Sequence, residues 1–560
     1  MIFIAVFWMT PVSAQNVSWF EQEHFQHTED FKQLTYVSSP DQPFLAVYLE
    51  HLANDGGGGG GNPTQTDRMY AYDTAGTHLW HYDVLTAPIA ILSKEDDRFW
   101  VITYGAETLN TLNGTIPGSP EEAVRHLYFA EFDIEGTVTN SFVWGITEDV
   151  EMYINDICFD INGDFIFTGR LNPPDLSPAI FDFGEEQLTL DPNLWTHYVA
   201  RATTDGAQDG ISTFTGKRFG SQRGVITHLA QNSTDGTIVL AGRLNDTLHF
   251  ETTHLVGASD IYQDLCLISF SENLEFTDAR SVLSSTYGTL TNDLVYNAHH
   301  DRFYITGNLG NMMYLLDEED PQQGHTGTTQ NAYIASFSDL EISGGVYLIP
   351  GDMSNFERYI TISNVLFDNG YNLLIVANVH ENAFWIGEEP IQIDVPFAVV
   401  DYELVQFTMD ADDFTLQDLY FSEGVGQVFA RNNCYDPASE ALYMAGNFNG
   451  DFVYGNIAAS STGGLNDAFI LKQDLTETVT SANFEASSQI LLFPNPASEY
   501  IRIETPGSVL VSVQVYDAIG KICGVEQLSS RVDVSRLSPG MYSAEIVTTS
   551  GKIIERFVKR

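Results

Sequence analysis

The chain has 560 residues, with 76 Asp and Glu against 24 Lys and Arg, for a formal net charge of −52. So acidic a surface repels phosphate backbones, which excludes nucleic acid from the expected partners. With 43% hydrophobic and 12% aromatic residues it can bury a large core, and its length exceeds one ordinary domain unless repeats build it.

In chain order, the first element is an apolar run over residues 2–9, too short to span a bilayer. Val12-Ser13-Ala14 then has the small-residue character of a cleavage site before Gln15. A signal peptide is expected over 1–14, although no Lys or Arg precedes Lys32 to supply the usual basic start. No later stretch is long and apolar enough for a transmembrane helix, so no transmembrane segment is expected.

The body carries an internal repeat of roughly 65 residues. Its core is an apolar strand ending in a small or polar residue, beginning at Phe44, Phe99, Phe165, Ile238, Phe303, Leu374 and Leu442. A second strand follows each start, through Tyr70, Tyr128, Tyr198, Cys266, Tyr333, Leu404 and Phe469. Val, Ile, Phe and Tyr dominate these runs, and Asn-Gly or Asp-Gly turns separate several of them, which favours hairpins over helices. The seventh unit lacks the strand that closes the others, but Asn16-Val17-Ser18-Trp19-Phe20 resembles it. An N-terminal strand completing the last sheet would close a ring and hide most strand edges. The expectation is an all-β chain with a seven-bladed β-propeller over 15–482; an open solenoid is the structural alternative. Asp160-Ile161-Asn162-Gly163-Asp164-Phe165 and Asp467-Ala468-Phe469-Ile470-Leu471-Lys472 also resemble the degenerate propeller repeats of secreted bacterial proteins.

Chemistry-bearing motifs are sparse. The glycines at 56–61 satisfy a phosphate-loop pattern trivially, but neither a helix nor Lys-Ser/Thr follows, and a flexible loop is expected. Asp160, Asn162 and Asp164 space oxygen ligands as a calcium loop does, yet the twelfth position is Leu171 where an EF-hand has Glu. A turn capped by Asp and Asn explains them equally well, so calcium stays open and no other cofactor is expected. Two further acidic turns, Asp410/Asp412/Asp413 and residues 317–320, read as solvated loops. His299-His300-Asp301 is the densest histidine cluster and falls in a turn. No zinc-protease His-Glu-x-x-His or hydrolase Gly-x-Ser-x-Gly occurs, and no catalytic residue is assigned. Trp80, Trp100, Trp144, Trp195 and Trp385 are read as packing between sheets. The cysteines Cys158, Cys266, Cys434 and Cys523 form no CxxC pair and read as buried small hydrophobes.

The last seventy residues change character. Leu492-Phe493-Pro494-Asn495-Pro496-Ala497-Ser498-Glu499-Tyr500 opens a β-rich module. It continues through Val515-Tyr516-Asp517, Gly520-Lys521 and Leu537-Ser538-Pro539-Gly540-Met541-Tyr542, and ends at Phe557-Val558-Lys559-Arg560. This segment resembles the C-terminal sorting domain of the type IX secretion system of Bacteroidetes. The resemblance implies a β-sandwich over 490–560 behind a Ser/Thr-rich linker at 483–489. In it Pro494-Asn495-Pro496 would shape the opening turn, Gly520-Lys521 a hairpin turn, and Gly540 with Tyr542 a late strand; Lys559 belongs to the basic terminus. It also implies partners in the type IX machinery and its sortase, and a secreted or outer-membrane surface location. For the body, two functions are expected to compete: binding or adhesion to extracellular glycan or protein, and a polysaccharide- or peptide-degrading hydrolase or lyase.

Overall fold

Short runs of Val, Ile, Phe and Tyr broken by Gly, Asp and Asn form strands. The computed structural model is all-β: among the described residues every regular element is a strand. It describes residues 17–23, 28–39, 42–52, 67–84, 87–94, 97–105, 108–118, 123, 125–173, 177–217, 225–244, 246–257, 263–285, 289–309, 313–315, 331–349, 360–379, 383–386, 389–392, 403–455, 457–461, 466–475, 491–493, 497, 500–504, 510–516, 521–523, 526–528, 531–538, 540–548 and 551–560. The signal-peptide segment, the glycine run, residues 317–320 and the linker lie outside these. The chain divides into two compact units, 1–478 and 479–560.

In the first unit one antiparallel four-stranded pattern recurs. Six sheets run in chain order, and their opening strands are Thr28–Val37, Pro88–Lys94, Glu151–Phe159, Val225–Gln231, Thr289–Asn297 and Ile360–Phe367. A seventh opens with Glu423–Asp436, continues through Ala441–Tyr454 and Asp467–Asp474, and takes its fourth strand, Val17–Glu23, from the other end of the chain. The opening strands touch in succession from the first sheet to the seventh, and the seventh touches the first again. Apolar clusters sit between neighbouring sheets. One joins Leu45, Val47 and Tyr72 of the first sheet to Tyr443, Ala445 and Ile470 of the seventh. All seven repeat starts read from the sequence fall in second strands, which are buried along nearly their whole length.

Every opening strand carries a register shift at an equivalent place: between Phe31 and Gln33, Pro88 and Ala90, Ile154 and Asp156, Ile226 and His228, Thr291 and Asp293, Ile362 and Asn364, and Ala430 and Asn432. A bulge leaves one residue outside the ladder and re-aims its side chain. In the third to sixth sheets the bulged residue reaches the next sheet. Asn155 Nδ2 donates to Ile226 O at 2.6 Å, Asn292 Nδ2 to Ile362 O at 2.8 Å, and Ser363 Oγ to Ala430 O at 2.8 Å. Thr227 and Thr291 pair through their hydroxyls at the joint between. The bulges thus stitch sheet to sheet.

The second unit has two four-stranded sheets. Leu491–Phe493, Tyr500–Glu504, Arg531–Asp533 and Glu526–Leu528 form one; Ile522–Cys523, Leu510–Tyr516, Gly540–Thr548 and Gly551–Lys559 form the other. Ile501, Ile503 and Val532 of the first share a core with Val515, Ala544, Ile546 and Phe557 of the second. Ala497 fastens the final strand: its N–H donates to Val558 O at 2.7 Å, and Arg560 N–H donates to Ala497 O at 2.9 Å.

Candidate functional site

In the third to sixth sheets the residue after the bulge also reaches the neighbouring sheet, and in the third and fifth it is an aspartate. Asp156 Oδ2 accepts Leu229 N–H at 2.8 Å and Oδ1 accepts Ile157 N–H at 2.9 Å. Asp293 repeats the arrangement, with Oδ2 on Val365 N–H at 2.8 Å and Oδ1 on Leu294 N–H at 2.9 Å. Between them, in the fourth sheet, stands His228. Its Nε2 lies 3.0 Å from Thr291 O and its Nδ1 3.8 Å from Asp156 Oδ2. With Nε2–H donated to Thr291 O, Nδ1 is the ring nitrogen turned toward the Asp156 carboxyl.

Burial pushes the Asp156 carboxyl up to about 6, against the opposing pull of His228 and the two N–H donors. Burial likewise raises Asp293. A raised carboxyl binds its proton more tightly folded than unfolded. Its contribution to stability is therefore full below the ordinary carboxylate range and lost as pH rises through about 6. The Asp156 side chain is 32% exposed, so solvent screening reduces the effect to on the order of 1 kcal/mol. Between pH 7.5 and 4.5 wild type should gain stability relative to Asp156→Asn by that amount, read as a difference in Tm shifts. Parallel pH profiles for the two would remove Asp156 as the titrating group.

The opening strands of the sixth, seventh, first and second sheets converge, at their turn ends, on a cavity of 690 Å³. Aromatic rings of Tyr36, Phe367, Tyr371 and Tyr435 line it, with Asn433 among them. Tyr371 is 45% exposed, and the His299 ring lies parallel to it at 4.0 Å. Asn433 is 2% exposed, and among the described residues neither its side-chain oxygen nor its nitrogen has a hydrogen-bond partner. Asn364 Oδ1 on the adjoining strand is buried and unpartnered too, while Asn364 Nδ2 donates to Asn433 O at 2.9 Å.

The residues singled out from sequence are spread over the sheets. Asp160 is a turn residue: its Oδ1 accepts Asn162 N–H at 2.8 Å and Asp164 N–H at 2.9 Å. Its Oδ2 lies 2.9 Å from Arg201 Nε. Asn232, Asn297, Asp368 and Asp436 cap the equivalent turns of other sheets through one side-chain oxygen. Asp164 accepts Thr204 N–H at 3.3 Å. Among the described residues no group of three or more His, Cys, Asp or Glu is arranged to hold a metal ion. His299 and His300 donate their backbone N–H groups to Asn297 Oδ1, and His300 Nδ1 lies 3.4 Å from Asp412 Oδ1. Trp80, Trp100 and Trp195 are buried. None of the four cysteines is in a disulfide, and burial pushes the Cys266 thiol up to about 12.

In the second unit Tyr542 is buried, donates its hydroxyl to Ser538 O at 2.8 Å and stacks on Phe557 with ring centres 5.7 Å apart. Lys559 is buried and donates to Arg560 O. Gly540 opens the strand that carries Tyr542, and Lys521 is exposed. Pro494, Asn495, Pro496 and Gly520 lie outside the described residues.

Residues 491–560 match the family model described as a secretion system C-terminal sorting domain. The chain carries a type IX export module. The protein is therefore secreted or displayed on the outer-membrane surface, and its sorting domain engages the type IX machinery. Among the described residues no helix is long and apolar enough to cross a membrane. No curated protein matches the chain. Solved structures similar to it include a eukaryotic initiation factor, at 8% identity over 80% of this chain and 91% of that one, TM-score 0.30. A member of the DUF4221 family from Bacteroides vulgatus aligns at 7% identity over 82% and 99%, TM-score 0.27. An apocarotenoid oxygenase variant from Synechocystis aligns at 11% identity over 85% and 92%, TM-score 0.25. At such TM-scores these likenesses carry nothing about fold or activity.

Proposed function

We propose that the first unit is a seven-bladed β-propeller and that the type IX route delivers it to the cell exterior as a binding or adhesion module for glycan or protein. The observation that carries the propeller is the cyclic succession of contacts between opening strands, with Val17–Glu23 pairing onto Asp467–Asp474 to complete the last sheet. The binding role is supported by the cavity where strands of four sheets meet, lined by the aromatic rings of Tyr36, Phe367, Tyr371 and Tyr435. The rival reading, a hydrolase or lyase, draws on Asp156, His228 and Asp293 on three successive opening strands. Both carboxylates there already accept two backbone N–H groups each, which suits a clasp between sheets better than a general base.

The test is an array of extracellular polysaccharides and matrix proteins exposed to the purified protein, with soluble fragments sampled over time. Retention without fragments is expected. Fragment release that disappears on heat-unfolding the protein would replace the binding role with a degradative one.

A further inference from the structure

We propose that His78 and His81, on the fourth strand of the first sheet, form a two-point chelate for a zinc-class transition-metal dication. Neither histidine lines the cavity described above, and the site does not depend on the binding reading. Three observations carry it.

The first is the spacing of two ring nitrogens. Residues three apart on a regular strand point to opposite faces. Here they do not, because Ala71 stands opposite Trp80 while Tyr72 stands opposite His78, which leaves Leu79 outside the ladder. That bulge brings His78 and His81 onto one exposed face, with Trp80 buried on the other. His81 Nδ1 then lies 3.2 Å from His78 Nε2. Two imidazole nitrogens bound to one ion, each about 2.0–2.1 Å away, are about 3.3 Å apart in tetrahedral geometry and about 2.9 Å apart in square-planar geometry. The pair thus has the bite of a chelate, and an ion reaches it from solvent. A single N–H···N bond also spans 3.2 Å, and the experiment below tells the two apart.

The second is the packing that fixes the rings. Tyr70 and Tyr72 are buried beneath the pair. His78 meets both edge-on, with ring centres 5.9 and 5.6 Å away, and His81 lies 5.5 Å from Tyr70. On the opposite face Trp80 donates Nε1–H to Ile134 O at 2.5 Å and stacks on Phe99 with ring centres 6.2 Å apart. The backbone between the two histidines is thereby anchored. Donors whose rotamers are already held by packing give up little freedom when an ion binds.

The third is charge. A metal takes the neutral imidazole. Partial burial, and then the neighbouring His81, hold His78 below the usual imidazole range against the opposing pull of the Trp80 backbone, so its lone pair is available at neutral pH. Asp83, two residues beyond His81, has Oδ1 2.9 Å from Arg68 Nε, and these two charges offset one another beside the site. The chain as a whole carries −52, which gathers dications and repels anions. Imidazole suits zinc, copper and nickel, whereas calcium and magnesium take oxygen ligands. Among the described residues no third His, Cys, Asp or Glu joins the pair, so water supplies the remaining ligands.

The experiment titrates the metal-stripped full-length protein with Zn²⁺ by calorimetry, beside His78→Gln, His81→Gln and His249→Gln, and records the electron paramagnetic resonance spectrum of each with one equivalent of Cu²⁺. His78 and His81 are exposed, so glutamine at either leaves the fold intact. His249, exposed on a hairpin opposite His254, is the control for histidines outside the site. Wild type and His249→Gln are expected to share the same tightest Zn²⁺ site, and its affinity should fall tenfold or more in His78→Gln and in His81→Gln alike. The wild-type Cu²⁺ spectrum should carry coupling to two nitrogens, reduced in both site variants. Equal Zn²⁺ affinity in all four proteins would overturn the chelate, as a bond between the two rings alone predicts. Loss in only one of the two site variants, loss in His249→Gln instead, or no Zn²⁺ binding would overturn it too. So would nitrogen coupling to Cu²⁺ that is the same in wild type and His78→Gln.

Discussion

A chain beginning at residue 28, and so lacking Val17–Glu23, is expected to lose about 3–9 kcal/mol of stability in its first unit. Six register pairs join that strand to Asp467–Asp474, from Val17 opposite Gln473 to Glu23 opposite Ala468. A backbone hydrogen bond is worth a net 0.5–1.5 kcal/mol or so, which sets the range. With an unfolding entropy near 2 cal/mol/K per residue, a unit of this size should lose roughly 3–9 °C in Tm. The truncation also bares Asp467–Asp474 as a sheet edge whose Ala468, Phe469, Ile470 and Leu471 are buried in the intact protein. A long apolar edge recruits other chains, so the shortened protein should aggregate as well as melt early. Adding a synthetic peptide of residues 16–27 should restore Tm and solubility by supplying the missing strand in trans. An unchanged Tm in the truncated protein would refute closure of the seventh sheet by the N-terminal strand.

Gly307→Ala should destabilise by about 3 kcal/mol, at the upper end of what overpacking usually does. A Cβ there would stand 1.8 Å from Leu290 O and 2.6 Å from Tyr333 Cε1. The first of these is backbone and cannot swing aside. The cause is the bulge on the opening strand, which brings a carbonyl across the second strand. The same approach places Tyr153 O 1.8 Å from a Cβ at Gly169, Val225 O 2.2 Å from one at Gly242, and Phe429 O 1.8 Å from one at Gly446. Gly216→Ala is the matched control. Its nearest neighbour is the tip of Leu248 at 3.0 Å, a flexible side chain, so the loss should stay below about 1 kcal/mol. Thermal unfolding of both variants decides the matter; equal Tm values would mean that the bulge does not exclude a Cβ.

Those glycines mark how far the sequence could be read. The runs ending at Gly169, Gly242, Gly307 and Gly446 stood out as repeats because apolar alternation and turn residues are local properties of the chain. The second strands, the third strands through Tyr128 or Tyr333, and the pairing of Val17–Glu23 with the last sheet followed from them. The reason for the glycine did not, because it lies in a carbonyl of another strand. The site residues were hidden in the same way. Asn155-Asp156, Thr227-His228, Asn292-Asp293, Ser363-Asn364 and Arg431-Asn432 are polar pairs inside otherwise apolar strands, each at one offset before its turn residue. That repeated interruption was the available signal for the belt of inter-sheet bonds. Asn433 carried no signal at all, since only the convergence of four sheets shows that its amide lacks a partner. The acidic triplet at Asp160 drew attention instead because its spacing is conspicuous, whereas its oxygens serve a turn that recurs with Asn232, Asn297, Asp368 and Asp436.

The strand borrowed from the far end of the chain also imposes an order in time. Six sheets can form as their own segments emerge, each from contacts near in sequence, but the seventh must wait until residues from both extremes of the unit are present together. Its pairing has the greatest sequence separation in the fold, and so the slowest search. The sorting domain follows the last strand of that sheet in the chain, so the stretch that pairs with Val17–Glu23 and the stretch that makes the chain exportable are delivered almost together. A chain cut short anywhere in its body lacks both the strand that Val17–Glu23 pairs with and the sorting domain. Products truncated in the body are thereby expected to be left out of type IX delivery.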